Sequence, residues 1–405
     1  MKKFTFLALT LVFGLLMTNC KKDVTPSYNM TLTLAFPQGF TGAPMPAGVE
    51  IKVTGDQSGR EFTAMSDASG KAIILLPEGS YNMRCNFTVS SGGNDYIFNG
   101  ILSNYMLTKE STVQMDLVLA KNTGGFVLKE VFFAGSKTLD AKTYYSDQFH
   151  EIYNNSNDTL FADGLCIGVL QQTGTAPNIW LKTDGSIMDE LPITFQVWMV
   201  PGTGKQNPVY PGKSIVIAQD GINHKTDPNG NPGSPVDLSK ANWETYMEVS
   251  GKDTDVPAVP NLTMMYTTIT TVFDWIHSVN GAAVVIFRLP TVLDWQSYVN
   301  NTANLKTAPG STSATKYFMI DKKYVIDGIE IVQVDETKRY KRLPTTIDAG
   351  YTYLDAGSYS SVSIRRKASM IVGGRVIYKD TNNSTVDFLH DLAPTPGTHP
   401  TNVEN

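Results

Sequence analysis

The sequence predicts an all-β protein made of two β-sandwich domains with a few short helices. Apolar and polar residues alternate along many short segments, which is the period of a half-buried strand. Clusters of Gly, Pro, Asn and Asp separate these segments and are typical of tight turns. Charged residues make up 18% of the chain, below the roughly 25% of an ordinary soluble domain. This composition is typical of an extracellular β protein.

The first segment is predicted to be a targeting signal. Lys2 and Lys3 precede an apolar run from Phe4 to Met17 that ends just before Cys20, which is the layout of a secretory signal. As a helix this run reaches only about 21 Å, too short for a hydrocarbon core of about 30 Å. A cysteine directly after the run resembles the lipobox of bacterial lipoproteins. The resemblance implies cleavage before Cys20, acylation of its thiol and stable anchoring by several acyl chains. A secreted protein with an incidental Cys20 is the alternative.

The first folded unit, after the targeting signal, has regular strand patterns. Met30, Leu32, Leu34 and Phe36 alternate with polar residues in its first strand, and a tight turn is expected between Asp67 and Gly70. In a later strand Cys85 shares one face with apolar residues, so we expect it to be a small buried hydrophobe. The "DxxGK…LPxGxY" pattern resembles the carboxypeptidase-regulatory-like or transthyretin-like sandwich. That resemblance covers about 90 residues and implies a spacer or accessory module.

The character of the chain changes at Phe126. An acidic residue opens "EIYNNS", a polar turn follows, and "LFADGL" resumes strand character. This order resembles the lamin-tail domain, an immunoglobulin-like sandwich. Later segments such as "YPGKSIVIAQ", "GAAVVIFRLP" and "SVSIRRK" fit the same template. Together they resemble an uncharacterised family of Gram-negative surface lipoproteins known only as a domain of unknown function.

The predicted organisation, in chain order, is a signal peptide (1–19), a tether (20–27), the first sandwich (28–121), a linker (122–125), the lamin-tail-like domain (126–397) with insertions near 171–209 and 220–282, and a tail (398–405). Helices are expected mainly in and beside the insertions. "PVDLSKANWETYMEV" has Asp237 or Ser239 as a possible N-cap, with Trp243, Tyr246 and Met247 at helical spacing. "TVFDWIHSV" and "TVLDWQSYV" each fit a short helix, but their β-branched residues leave this assignment ambiguous.

Ligand binding is expected, if anywhere, at tryptophans in or beside the insertions. Exposed rings there would stack on sugars or another flat ligand. The alternative is that the rings pack the insertions onto the sandwich. The five candidates are Trp180, Trp198, Trp243, Trp275 and Trp295.

No catalytic, metal or cofactor motif is recognised. The five histidines (His150, His224, His277, His390 and His399) lack zinc-site spacing. Asp227, Asn229 and Asn231 have the rhythm of a calcium loop, but Pro232 replaces the expected glycine, so a turn is the preferred interpretation. "PGTGK" at 201–205 lacks the first glycine and the Ser/Thr of a phosphate loop, which makes it an ordinary loop. Paired carboxylates from distant strands leave no local spacing to recognise.

Three function classes remain open. The preferred one is a non-enzymatic protein held by Cys20 on the outer membrane and exposed at the surface, binding a carbohydrate or nutrient and serving as companion of an uptake receptor. A hydrolase with its site in the insertions is the second, and an adhesion spacer is the third. Nucleic acid is not an expected partner, because 38 acidic residues outnumber 33 basic ones. A concave aromatic pocket within 171–282 would favour binding, and clustered carboxylates with raised pKa would favour catalysis.

Overall fold

A computed structural model describes residues 25–36, 43–91, 94–120, 125–156, 158–170, 176–275, 277–290, 294–372 and 374–404. The predicted signal peptide, Cys20 and most of the linker lie outside these residues. The described chain contains many strands and two short α-helices, which confirms the all-β prediction. No helix in the described part of the chain is long and apolar enough to cross a membrane.

The first seven strands form one sheet of order β3-β2-β5-β6-β7-β1-β4, in which β1 and β7 run parallel and the other pairs run antiparallel. Their bounds are β1 Ser27–Ala35, β2 Glu50–Gly55, β3 Glu61–Met65, β4 Lys71–Pro77, β5 Gly79–Ser91, β6 Asn94–Leu107 and β7 Ser111–Ala120. Met30, Leu32 and Leu34 are buried as their alternation predicts. The turn before β4 is tight, because the Asp67 carboxylate accepts hydrogen bonds from the N–H groups of Ser69 and Lys71.

The rest of the chain is built on two large sheets, of six and seven strands, and three two-stranded ribbons. The first has the order β17-β16-β11-β8-β23-β26, and the second has the order β20-β21-β14-β13-β19-β22 with β18 paired to β14. Three two-stranded ribbons join β9 with β10, β12 with β15, and β24 with β25.

Strand bounds from β8 onward are β8 Phe126–Phe132, β9 Ser136–Lys137, β10 Thr143–Tyr144, β11 Phe149–Asn154, β12 Leu160–Phe161, β13 Cys166–Leu170, β14 Glu190–Met199, β15 Pro208–Val209, β16 Ser214–Ala218, β17 Trp243–Glu244, β18 Thr263–Thr267, β19 Val284–Phe287, β20 Leu305–Thr307, β21 Lys316–Asp321, β22 Val325–Ile329, β23 Ser363–Arg366, β24 Ala368–Val372, β25 Arg375–Tyr378 and β26 Phe388–Leu392. The helices are α1 Trp295–Asn300 and α2 Ser384–Asp387.

The central strands of this second unit are buried on both faces. In β13, Ile167 and Val169 belong to the core that also holds Leu128 and Ile152 of the first large sheet. The alternate residues Cys166 and Leu170 belong to a second core on the opposite face. Each side chain of this size contributes roughly 1.5 to 3 kcal/mol when fully buried. Double burial explains why these strands are continuous apolar runs in the sequence.

Both remaining cysteines are free and buried. Burial raises the pKa of the Cys85 thiol to about 12, with a smaller opposing effect from a backbone hydrogen bond at Gly100. The pKa of Cys166 is also raised to about 12, first by burial. Each thiol lies within 4 Å of a methionine sulfur, Met115 for the first and Met265 for the second. Thiols in such apolar surroundings are inert packing groups.

The helix expected around Trp243 does not form, so that prediction was wrong. Trp243 and Glu244 instead make the short strand β17, parallel to Ile217 and Ala218 of β16. The Asp237 carboxylate accepts the N–H of Ser239 two residues on, which makes a turn. "TVLDWQSYV" does form a helix, α1, whose N-cap Asp294 accepts the N–H of Ser297.

The two units contact each other through a buried asparagine of the first. Asn99 Nδ2 on β6 donates to the carbonyls of Thr381, at 2.8 Å, and Asn382, at 3.3 Å. Asn86 donates to Asn99 Oδ1 and fixes the orientation of that amide. Asn382 is in the left-handed region at φ +50°, which turns its carbonyl and that of Thr381 toward this contact.

Candidate binding groove

Three of the five predicted tryptophans lie in the core. Trp180, Trp198 and Trp275 are at most 3% exposed. Trp198 and Trp275 pack between the two large sheets, and Trp180 packs against Ala308 and Met319. These three match the packing alternative, because rings without accessible faces cannot stack on a ligand. Trp243 and Trp295 are half-buried, and only Trp243 lines one of the larger surface depressions described below.

Trp243 lies in a surface depression of about 460 Å³ beside the β15–β16 connection. Tyr210, 60% exposed, is a second aromatic ring in this depression. Gln206, Asn207 and Asn242 contribute amide side chains to its lining. The depression therefore combines one exposed ring, Tyr210, and one partly buried ring, Trp243, which also packs against the core, with groups that both donate and accept hydrogen bonds.

A second depression, of about 450 Å³, adjoins the first and shares Lys213, Ser214 and Asn242 with it. Its other walls come from the segment around Lys240 and from the C-terminal segment at His399. We call the two together the groove. Its size is typical of sites for small ligands, which occupy about 300 to 1,000 Å³.

The sequence "YPGK" presents two of the groove residues. Pro211 and Gly212 occupy the central positions of a β-turn in which the Lys213 N–H donates to the Tyr210 carbonyl at 3.0 Å. Gly212 has φ +80°, and a Cβ at this position would lie 2.6 Å from the Arg375 side chain. Both observations require glycine. The turn places Tyr210 and Lys213 at the groove, and this Pro-Gly signal was visible in the sequence.

The loop that carries Gln206 and Asn207 is organised by a carboxylate. Asp163 accepts the N–H groups of Gly204, Gln206 and Asn207 at 2.8 to 3.2 Å. Burial acts to raise the pKa of Asp163, but these backbone hydrogen bonds outweigh it and lower the pKa. The "PGTGK" loop thus donates its N–H groups to the carboxylate of Asp163 within the protein. This agrees with the prediction of an ordinary loop rather than a phosphate loop.

The C-terminal wall is held from beneath by a buried ion cluster. Lys129 Nζ lies 2.9 Å from Glu151 and 3.2 Å from Glu130, and all three side chains are fully buried. The same ammonium donates to the Thr398 carbonyl at 2.6 Å, while Glu130 accepts the N–H of Thr395. These bonds fix the backbone immediately before His399.

His399 is neutral at pH 7. Burial, followed by the positive charges of Lys129, Lys213 and Arg365, lowers its pKa to about 4. Its Nδ1 lies 3.2 Å from the Tyr378 hydroxyl. The imidazole therefore lines the groove as an uncharged polar group in positive surroundings.

A separate acidic cavity of about 120 Å³ lies near the start of β11. Carboxylate oxygens of Asp220, Asp253 and Asp274 lie within 4.8 Å of one another. Burial, with repulsion from Asp274 and Asp253, raises the pKa of Asp220 to about 9. Burial, with a smaller contribution from the charge of Asp253, raises the pKa of Asp274 to about 7. Ser146 Oγ donates to Asp274 at 2.6 Å. The sequence could not reveal this cluster, because its members are widely separated along the chain.

The histidines take different roles. His150 and His277 are fully buried, and His150 Nε2 lies 2.9 Å from His277 Nδ1. Burial lowers the pKa of both, so they form a neutral pair within the core. His390 lies 2.6 Å from the Asp391 carboxylate, which also accepts the N–H groups of Asp355 and Ala356. Asp391 therefore stabilises a turn.

The segment with the calcium-loop rhythm forms a turn. Asp227 Oδ1 accepts the N–H of Asn229 at 2.8 Å, and the Gly230 N–H donates to the Asp227 carbonyl. Asn231 points inward, where its amide donates to Ser136 Oγ. The preferred interpretation is confirmed, since the three side chains do not converge.

Comparison with known proteins gives the following matches. Residues 210–395 match the family model described as "Protein of unknown function (DUF4876)". A crystal structure of a DUF4876 family protein from Bacteroides thetaiotaomicron has 28% identity and a TM-score of 0.62, covering 92% of this chain and 98% of that one. No curated protein matches the chain.

Two further solved structures that match the chain are much less similar to it. A DUF3823 family protein from Parabacteroides merdae has 11% identity and a TM-score of 0.18, covering 37% of this chain and 69% of that one. A candidate carbohydrate-binding protein from Bacteroides uniformis has 11% identity and a TM-score of 0.17, covering 40% of this chain and 66% of that one. Tyr210, Lys213, Lys240 and Trp243 all fall within the region that matches the family. Residues 210–395 are therefore similar to a family described only as of unknown function, in agreement with the expected resemblance to an uncharacterised family.

Proposed function

We propose that this protein is a lipid-anchored envelope protein that binds carbohydrate in the groove. The observation that carries the proposal is the placement of Trp243 and Tyr210 beside the amides of Gln206, Asn207 and Asn242. Sugar rings have apolar C–H faces that pack on aromatic rings, and their hydroxyls pair with groups that donate and accept hydrogen bonds. A groove of this composition suits a neutral or charged oligosaccharide better than an apolar ligand.

The groove is built on fixed elements, which favours binding without a large rearrangement. Trp243 is in β17, and its neighbour Asn242 accepts the N–H of Val216 at 2.8 Å. Tyr210 and Lys213 belong to the tight turn described above, and His399 follows the segment held by Lys129. A preformed site loses less conformational entropy when a ligand binds.

The acidic cavity gives the hydrolase alternative a specific observation, because its carboxyl groups have raised pKa. One feature nevertheless favours the groove as the carbohydrate site. The cavity volume of about 120 Å³ is well below that of ordinary ligand sites.

Binding to a panel of immobilised polysaccharides tests the proposal. We expect Tyr210→Ala to weaken binding of any retained glycan by about tenfold, since the exposed ring stacks without supporting the fold. Phe273→Ala is the matched control, because Phe273 is 44% exposed and lines the acidic cavity. Loss of binding with Phe273→Ala but not with Tyr210→Ala, or release of reducing ends that Asp274→Asn abolishes, would favour the hydrolase.

The anchor and the partner are separate parts of the proposal. The sequence around Cys20 supports acylation, and we expect palmitate to label the wild-type protein but not Cys20→Ser. Uptake of a captured glycan would require an outer-membrane receptor, so we further propose that such a receptor is the protein partner. Pull-down of the acylated protein from intact envelopes should then recover the receptor, and recovery of wall material alone would favour the spacer function.

A further inference from the structure

The centre of the groove carries unpaired positive charge. Lys213 lines both depressions and Lys240 lines the second. Both side chains are exposed, and neither forms an ion pair with any residue that the structure describes. The chain as a whole has a net charge of −5. Two adjacent unpaired lysines in an acidic protein therefore form a local positive region.

One carboxylate, Asp237, also lines the second depression. Its Oδ2 accepts from the Asn223 amide at 2.9 Å and its Oδ1 accepts from the Ser239 hydroxyl at 2.7 Å. Burial acts to raise the pKa of Asp237, but the hydrogen bonds from Ser239 and the charges of Lys225 and Lys240 outweigh it and lower the pKa, so Asp237 partly offsets the charge of Lys240. The first depression has no acidic residue among its described lining. The acid therefore leaves Lys213 available where the depressions meet.

His399 lies close enough to the same positive charges for them to affect its pKa. After burial, the causes that lower the pKa of His399 are Lys129, Lys213 and Arg365. Lys129 is compensated by two buried glutamates, and Arg365 pairs with Glu404 at 2.6 Å. Of the three cations, only Lys213 lacks a described counter-ion and points its charge at the groove.

We propose that the groove selects acidic glycans, with a uronate carboxylate against Lys213 and Lys240 and a sugar face on Trp243 and Tyr210. This inference rests on the proposed carbohydrate function and adds the chemical class of the ligand. A carboxylate that binds here breaks no internal ion pair, so it gains the attraction of both ammonium groups at a small cost. The rings and amides recognise sugar in general, and the lysines distinguish charged from neutral sugar.

Calorimetric titration of the full chain with matched oligosaccharides tests the selectivity. The probes are oligogalacturonate and its fully methyl-esterified form, which share one backbone and differ only at the carboxyl groups, followed by alginate and hyaluronate oligosaccharides. We expect at least one acidic probe to bind about tenfold more tightly than a neutral or esterified counterpart, and 0.5 M salt to remove that preference. Lys213→Gln and Lys240→Gln should each weaken acidic binding about fivefold. Lys71→Gln, an exposed lysine on β4, is the control and should have no effect.

The outcomes separate the two proposals. Equal affinity for charged and neutral probes, or binding of neutral glycans alone, would overturn the acidic selectivity and leave carbohydrate binding intact. Acidic binding that the two lysine variants leave unchanged would also overturn it, because the carboxylate would then lie elsewhere. If no probe and no member of the polysaccharide panel binds, both proposals are wrong.

Discussion

At the scale of single residues, buried charges decide much of the local structure. Lys129 is fully buried, yet it has two carboxylate neighbours and two carbonyl acceptors. Glu130 and Glu151 in turn accept backbone N–H groups from the C-terminal segment. A buried cluster of this kind contributes little net stability when intact, but removing one member leaves the others uncompensated. The sequence shows only "VLKEVFF", an apolar run interrupted by two adjacent charges, and this pattern does not reveal that both charges are buried.

The first prediction concerns this lysine. Lys129→Met should lower the free energy of unfolding by about 3 to 5 kcal/mol, because it leaves Glu130 and Glu151 buried without a counter-ion. Urea denaturation followed by circular dichroism measures the change. Lys142→Met is the control, since Lys142 pairs with Asp140 in full solvent, and it should change stability by less than about 1 kcal/mol. Similar losses of unfolding free energy in the two variants would contradict the role of Lys129 as the counter-ion of the two buried glutamates.

The second prediction concerns the pH dependence of the acidic cavity. Asp220 and Asp274 have pKa values raised to about 9 and about 7, so the folded protein holds protons that the unfolded chain releases near pH 4. Stability from this pair is therefore present at low pH and is lost as pH rises toward 7 to 9. Asp274→Asn removes one carboxylate and should gain about 1 to 2 kcal/mol over the wild type between pH 5.5 and 8.5.

Thermal unfolding of the variant and the wild type at pH 5.5 and pH 8.5 tests this prediction. The difference between the two proteins is compared at each pH, so the contributions of the titrating groups that they share cancel. Asp116→Asn, at an exposed position on β7 outside the acidic cavity, is the control for the loss of one negative charge. Parallel stability curves for Asp274→Asn and the wild type would show that the pair does not titrate in this range.

At the scale of elements, the sequence predicted secondary structure correctly where the local pattern of apolar residues determines it. The prediction failed where polar partners that are distant in the sequence determine the backbone conformation. The strands around Met30 and Val53 follow from alternation, since one face is buried and the other is not. Near Trp243 the apolar spacing predicted a helix. Glu244 there accepts the N–H groups of Gly221 and Val256, which hold the segment extended. Such contacts leave no trace in the spacing of apolar residues.

The third prediction follows from this glutamate. Glu244→Ala leaves two backbone donors without an acceptor, so it should cost about 2 to 4 kcal/mol in unfolding free energy. Glu244→Gln keeps one acceptor oxygen and should cost clearly less. Because Glu244 follows Trp243 directly, the alanine variant should also reduce glycan binding. Denaturation and binding measured on the same samples check both effects, and equal stability of the two variants would show that these hydrogen bonds are unimportant.

At the scale of the whole molecule, the fold class was predictable and the candidate site was predictable only in part. The abundance of turn residues and alternating strands indicated two all-β units. Of the five tryptophans, Trp243 alone combines partial exposure with a position in the groove, and exposure depends on the packing of both large sheets. Lys213 and His399 approach each other across nearly half of the chain, so only the folded structure brings them together.

The fluorescence of Trp243 provides the most direct measurement of whether the groove binds carbohydrate. Trp180, Trp198 and Trp275 are buried and Trp295 lies on α1, so a ligand in the groove should perturb Trp243 alone. Titration with a glycan retained by the panel should give a saturable change in emission in the wild type and no change in Trp243→Phe. Saturable calorimetric binding without any change at Trp243, or an equal change in the variant, would contradict carbohydrate binding in the groove.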